Sequence, residues 1–492
     1  VKRKAARRGL TLAFQIGAVA VVGAAALYVG LARGSALEAV FTVVVGLAAI
    51  AVAAGWAGRR PWLLPTLFWA ALSLPLVKHL GRGAGLPAIN ADHVVAYPVD
   101  FVILLALGWV FLSAYREARQ AQPAPAAAGG ALAKLFKPDL ISWAIAGSAV
   151  AVALSLYHAP RPAAALSALV DAARLYAVYV LFRQLAAAGP RAVLVGLFAA
   201  AAAHGVLCLL EFFAQTNFGL WEKPGWGAFI FAGVRPEAAR LLIARGGGTF
   251  EPNVTSQFLQ MALPFAAAYF LAAAPRRRIL YLALLLLSAA AMFATFSRGG
   301  WFGAAVGLAI VVAATWWKRR AVGASTWALS ALTAVGVILF IPAVAVILAR
   351  GAQGDQLSAA YRLADWRTAF AMVRDHPLLG VGKGNYLDLA HLYNPLTLKY
   401  PVHNVYLLSW AEAGILGLAA LVALVAGALR AAWREFQHGV GADAAFGLAA
   451  FAAFAGIALR MFVSMSFVHP FVSLSFVALA AAAAAARPPS GE

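Results

Sequence analysis

Apolar residues run through this chain in blocks of about 20. They fall near positions 10–31, 35–57, 61–80, 95–115, 138–157, 163–185, 190–215, 254–274, 278–297, 300–317, 323–349, 404–430, 443–465 and 468–486. A helix of that length crosses the hydrocarbon core of a bilayer. A spanning segment must satisfy its own backbone hydrogen bonds, and an α-helix does so within one block. The third, sixth and last two blocks are the least continuous, so the pattern predicts 12–14 spans. The expected fold class is all-α, a polytopic transmembrane helical bundle with a partly helical outer loop.

Composition agrees with the pattern. The 492 residues are 63% hydrophobic and 12% charged. A soluble domain is roughly half apolar and a quarter charged. The net charge of +21 does not indicate nucleic acid, because the basic residues are scattered between apolar blocks and form no polar face with aromatics. They follow the positive-inside pattern instead. With the basic start VKRKAARR in the cytoplasm, the inner segments hold 22 basic residues and the short outer loops hold four. The first apolar run is longer than the core of a cleaved leader, so it is expected to be the first span. The single cysteine, Cys208, lies inside an apolar block, which suits a small buried residue.

The exceptions to the charge pattern are two long outer segments, 216–253 and 350–403. They carry Lys223, Arg235, Arg240, Arg245, Arg350, Arg362, Arg367, Arg374, Lys383 and Lys399. Long loops cross regardless of charge, and contact with anionic headgroups is one use for such residues. Their Gly, Asn and His clusters fit a functional loop and favour a site for an anionic substrate. The expected organisation is N-terminal transmembrane helices at 1–215, a catalytic half at 216–430 containing both loops, and C-terminal transmembrane helices at 431–492. The segment 120–131 reads as a flexible cytoplasmic linker.

Four segments carry candidate chemistry, all at the outer face. The first is RGGGTFEPNVTSQFLQMALPF, Arg245 to Phe265. Its three glycines allow close approach to a ligand, and Asn253 opens a helix whose N-terminus suits an anion. The second is ATFSRGGWFG, Ala294 to Gly303. It holds Arg298 on a tight hairpin at the membrane boundary, where a guanidinium forks onto phosphate oxygens. Snorkelling explains the position of Arg298 but not the Ser-Arg-Gly-Gly string. The third is RLADWRTAFAMVRDHPLLGVGKGNY, Arg362 to Tyr386. It reads as an amphipathic helix that ends before Pro377, followed by a glycine-rich loop. Arg362 and Arg367 lie on that helix, and GVGKGN alone is a weak phosphate signal. The fourth is YPVHNVYLLSWAEAGILGL, Tyr400 to Leu418. It places His403, a natural general base near neutral pH, and Asn404 where the loop enters a span. Glu412 lies about 13 Å further along that helix, too far to pair with His403. Arg174, inside a span, is a further candidate by position.

In this order, G-x-F-x-x-P-N, S-R-G-G, P-L-L-G-V-G-x-G-N and H-N-x-Y-L…E-x-G-I-L-G resemble the O-antigen ligase and polymerase superfamily, of the Wzy and WaaL type. The resemblance covers roughly residues 240–430. It implies a bacterial inner-membrane glycosyltransferase of the GT-C class, active on the periplasmic face, inverting, with no metal and no cofactor. It implies an undecaprenyl-pyrophosphate-linked glycan as donor and another glycan or lipid A-core as acceptor. His403 matches the loop histidine of the family, Arg298 the arginine of its S-R-G turn, and Arg362 an arginine ahead of P-L-L-G-V-G. Arg245, Arg174, Asn253, Arg367 and Asn404 are assigned to substrate binding from position.

The alternative from another class is a polytopic transporter, such as a flippase of lipid-linked glycans. A transporter keeps its charges near the midplane at broken helices, whereas these charges gather at the outer ends of the spans.

Overall fold

The computed structural model describes residues 63–73, 78–80, 94–96, 99–100, 102–104, 138–186, 191–216, 229–231, 242–318, 361–394 and 401–485. Within them the chain is a helical bundle. Eight of the described helices are long and apolar enough to cross a membrane, and the chain is a multi-pass membrane protein. The apolar blocks at 10–31, 35–57 and 323–349, most of 95–115, the linker 120–131 and parts of both long outer segments lie outside the described residues.

The helices follow the apolar blocks closely. Helix α1 spans Leu63–Leu72, α2 Leu140–Ser155, α3 Pro162–Ala186 and α4 Arg191–Ala214. Then come α5 at Pro252–Ala272, α6 at Pro275–Ala294 and α7 at Arg298–Lys318. Residues 361–375 form α8, the helix expected to end before Pro377. After it come α9 at Tyr386–Tyr393, α10 at Val405–His438, α11 at Ala442–Arg460 and α12 at Pro470–Ala484. Pro252, Pro275 and Pro470 each open a helix, where the missing N–H costs nothing.

Two expectations need adjustment. The block at 61–80 is helical only to Leu72, and Lys78–Leu80 pairs antiparallel with Val94–Ala96. Lys78 and His79 of that strand have no use for hydrocarbon. A second two-stranded ladder joins Phe229–Phe231 to Leu242–Ala244. Both ladders are loop features beside the bundle. The last block yields only the 15 residues of α12.

Helix α5 is the centre of the bundle. It is buried on nearly every side, including Thr255, Ser256, Gln257 and Gln260, as expected of a helix enclosed by protein. Its neighbours come close because they carry glycine at the contact. A Cβ on Gly303 of α7 would lie 2.1 Å from the Gln260 amide nitrogen, and one on Gly456 of α11 would lie 2.5 Å from the Gly303 carbonyl. Small residues at crossings are the usual device for tight packing of spans. The core runs continuously from Leu64 in α1 to Ala483 in α12, and Trp69 donates to Ser475 at 3.0 Å.

The alternation read from the charges reappears as contacts. Helix ends expected outside meet each other: Gly246 N–H donates to Ala294 O at 3.0 Å, and Val405 N–H to Met461 O at 2.8 Å. Thr249 donates to Ser73 O at 2.7 Å, and Lys383 N–H to the Ser155 hydroxyl at 3.1 Å. Helix ends expected inside meet at the opposite end. There Lys318 donates to Phe436 O at 2.8 Å, and Tyr269 to Ala442 O at 2.8 Å. Arg183 reaches Asp139 at 3.3 Å.

Exposed positions near the two ends test the assignment. Tyr157, Leu392 and Val440 are 81%, 68% and 85% exposed, and the native Cys208 is buried. Tyr157→Cys and Leu392→Cys should react with a membrane-impermeant thiol reagent in intact cells permeabilised only at the outer membrane. Val440→Cys should react only after lysis. The reverse pattern would invert the topology.

Candidate functional site

The outer end of the bundle holds two groups of polar side chains. The first is built on the starts of α5 and α7 and the end of α11. Arg245 donates through Nε to Thr295 O at 2.8 Å and through a terminal nitrogen to the Asn253 side-chain oxygen at 3.0 Å. The Asn253 amide nitrogen donates to Glu251 at 3.0 Å. Arg460, 1% exposed, comes from the other side. Its guanidinium donates to Asn253 O at 2.8 Å, to the hydroxyls of Ser256 and Ser297 at 2.8 and 3.2 Å, and to Gln260 at 3.2 Å. Arg298 is the first residue of α7 and is exposed. Burial lowers the Arg245 pKa to about 10, and the nearby charge of Arg298 adds to the effect while Glu251 opposes it.

These contacts account for the Ser-Arg-Gly-Gly string. The Ser297 hydroxyl accepts from Arg460. Arg298 starts the helix and faces outward. A Cβ on Gly299 would only touch Arg460, at 3.6 Å, whereas one on Gly300 would lie 2.9 Å from Ser256. The string therefore sets α7 against α5 and α11 with one arginine exposed and another buried.

The three-glycine loop ahead of α5 has a different use from the one expected. The N–H groups of Gly247 and Gly248 donate to a Glu211 carboxylate oxygen at 2.6 and 2.8 Å. Glu211 is fully buried at the end of α4. A carboxylate already occupies the donors that a ligand anion would take. The loop is latched to the bundle, and its tight path carries Arg245 to Asn253.

The second group surrounds His403. This residue is half-buried at the end of the outer loop, and its Nδ1 has no hydrogen-bond partner among the described residues. Burial lowers its pKa to about 4, with the Arg362 charge as the second cause. Burial raises Asp365 to about 6, opposed by the same arginine. Arg362 and Arg367 are exposed on α8. Asn404 is the N-cap of α10, its side-chain oxygen accepting from Leu407 N–H at 3.0 Å. Its buried amide orients the helix behind His403.

The glycine-rich loop at 377–385 is likewise used by the protein itself. Gly414 interrupts α10 with φ of +67°, a left-handed conformation that favours glycine. The break frees backbone groups on both sides, and the loop takes them. Val381 N–H donates to Ala411 O at 2.9 Å, Gly382 N–H to Glu412 O at 3.0 Å, and Ile415 N–H to Pro377 O at 3.0 Å. The Lys383 ammonium meets the buried Glu412 carboxylate at 2.6 Å. The strings P-L-L-G-V-G-x-G-N and E-x-G-I-L-G are two halves of one backbone junction, and the first is no phosphate cradle.

Arg174 belongs to a third network. It pairs through two nitrogens with Asp100 at 2.8 and 2.9 Å and with Asp171 at 2.5 Å. With Lys383 it lines a cavity of about 200 Å³ between α2, α3, α10 and the start of α12, whose walls are otherwise mostly apolar. The two outer groups adjoin through the backbone. Val405, two residues after His403, bonds to Met461, the residue after Arg460. Arg460, Glu211 and the Lys383–Glu412 pair were missed as site residues in the sequence. The signal that marks Arg460 and Glu211 is an ionisable group within an apolar block.

Fold and site together define a multi-pass membrane protein with clustered arginines and a histidine at one end of its bundle. Residues 282–422 match the family described as O-Antigen ligase, which supports the resemblance to the O-antigen ligase and polymerase superfamily. Among curated proteins, none matches the chain.

Gly414 and Gly441 separate backbone strain from close contact. Both have positive φ, but a Cβ on Gly414 would lie 1.9 Å from Leu378 O, while one on Gly441 meets nothing within 4 Å. Gly441→Ala should cost roughly 1–2 kcal/mol, the usual left-handed penalty. Gly414→Ala should lower the melting temperature in detergent much further, since the loop must also leave the helix break. Equal losses for the two would mean that the junction contributes no stability.

Proposed function

We propose that this protein transfers or polymerises a lipid-linked glycan on the periplasmic face of the bacterial inner membrane. The donor in this reading is the undecaprenyl-pyrophosphate-linked glycan of the family, and the acceptor another glycan or lipid A-core. What supports it above all is the Val405–Met461 bond, which sets the histidine segment against the arginine cluster.

The acceptor oxygen attacks the anomeric carbon as the bond from that carbon to the phosphate oxygen breaks. One displacement inverts the anomeric centre. The leaving pyrophosphate gains negative charge, and arginine at the membrane boundary stabilises it where the dielectric is low. Arg298 and Arg362, exposed at the outer end, are the contacts, and Arg245 adds positive charge behind Arg298. Arginine supplies the charge that a metal ion would otherwise bring. The apolar cavity beside Lys383 suits the hydrocarbon chain nearest the phosphate. The acceptor hydroxyl gives its proton to His403. A histidine of pKa about 4 is neutral at working pH and free to accept, although a weak base. Bound pyrophosphate would raise its basicity by offsetting Arg362.

The test uses purified donor in detergent. Arg298→Lys should reduce turnover about tenfold or more, since ammonium lacks the bidentate fork. His403→Ala should cost about a hundredfold or more, the lower range for general-base catalysis. In the wild type, kcat/KM should fall on acidification only near the free-enzyme pKa, because protonated His403 cannot accept. The kcat limb should lie at higher pH, and both limbs should vanish in His403→Ala. An acid limb unchanged by that substitution would assign it to another group. Normal turnover of His403→Ala would remove the histidine from the chemistry.

A further inference from the structure

Arg460 is a cation in the protein core. It is 1% exposed, and among the described residues no carboxylate lies within ion-pair distance of it. Burying an unpaired charge costs several kcal/mol, so neutral hydrogen bonds must hold it. Four do: to Asn253 O, Ser256, Ser297 and Gln260. Those acceptors come from two helix starts and the core helix between them. One acceptor, Asn253, also receives Arg245 through its side chain. Another, Ser297, immediately precedes Arg298. The next residue after Arg460, Met461, receives the N–H of Val405 and so ties in the His403 segment.

We infer that Arg460 is a positioning residue for the anion site. From below, its guanidinium fixes the segments that carry Arg245 and Arg298, while the backbone of the next residue, Met461, holds the His403 segment. The inference rests on the proposed anion chemistry for its purpose, though not for its geometry. Planar donors in a fixed fork suit this work, and lysine has a single point charge on a flexible stem. Another of its donors, Nε, is buried with no partner among the described residues. The guanidinium thus adds positive charge under the site as well as rigidity.

The clamp predicts a pattern that a general packing role does not. The full-length protein in detergent is read in two ways. The first is hydrogen–deuterium exchange over residues 250–256 and 295–302. The second is affinity for inorganic pyrophosphate, by calorimetry. Arg460→Gln should deprotect both segments together and weaken pyrophosphate at least tenfold. Arg460→Lys should keep part of the affinity while leaving the segments less protected than in the wild type. Should Arg460→Gln not fold, the Ser256→Ala/Ser297→Ala double variant decides, since it removes two acceptors and keeps the arginine. It should deprotect both segments more than the rest of the bundle and weaken pyrophosphate severalfold.

Unchanged exchange and unchanged affinity in the folded variants would overturn the proposal. So would a fall in melting temperature with exchange at the two segments no greater than elsewhere. If wild-type protein fails to bind pyrophosphate, the proposed function loses its anion site. The exchange data still judge the clamp: joint deprotection of the two segments supports it, and protection retained in the variants refutes it.

Discussion

A backbone amide or carbonyl that leaves a helix near hydrocarbon has no water to bond, and protein must supply the partner. The outer end of this bundle is organised by that constraint. Four irregular segments meet there, and each has its polar groups answered from a helix. Glu211 takes the amides of Gly247 and Gly248. Arg460 takes the Asn253 carbonyl and the Ser297 hydroxyl. The break at Gly414 gives α10 carbonyls to the 377–385 loop. Asn404 caps the helix that follows His403. Ionisable groups in apolar spans are costly, and three of them here hold loops in place.

The same constraint explains why glycine-rich strings in this chain are not phosphate loops. A phosphate loop offers free amides in a concave nest. The glycine amides here are already taken, two by a carboxylate and others by helix carbonyls. Glycine is needed because the segments pass close to one another. Anion recognition is left to side chains, and arginine does it with charge that needs no open backbone. The division of labour is economical in a membrane: fixed backbone junctions below, exposed guanidinium groups above.

Much of this was legible in the sequence. Apolar block lengths located the described long helices to within a few residues, apart from the C-terminal ends of α10 and α11, because length and hydropathy are what a bilayer selects. The charge alternation assigned their ends to two faces, and contacts such as Gly246–Ala294 and Tyr269–Ala442 follow it. The end of α8 before Pro377 was also readable from proline chemistry. The jobs of polar residues at the site were harder to read. Asn404 looks the same in sequence whether it caps a helix or touches a sugar. Gly247 gives no sign of the carboxylate 36 positions earlier that it bonds. Arg460 is a charge within an apolar block, but its four acceptors lie between 163 and 207 residues away in sequence, beyond any local pattern.

The pairing of motifs follows from the same geometry. A helix break at Gly414 is stable only if another segment satisfies it, and P-L-L-G-V-G-x-G-N has the small residues to come that close. Neither string is sufficient alone. A chain that lost the second would leave two carbonyls and one amide of α10 unpaired at the membrane boundary, each costing several kcal/mol. The His403 segment enters α10 only ten residues before that break, and the Arg460 segment is bonded to its first turn. Chemistry at the outer end therefore inherits its rigidity from the junction, and a residue such as Gly414, with no atom to offer a substrate, constrains where the histidine can stand.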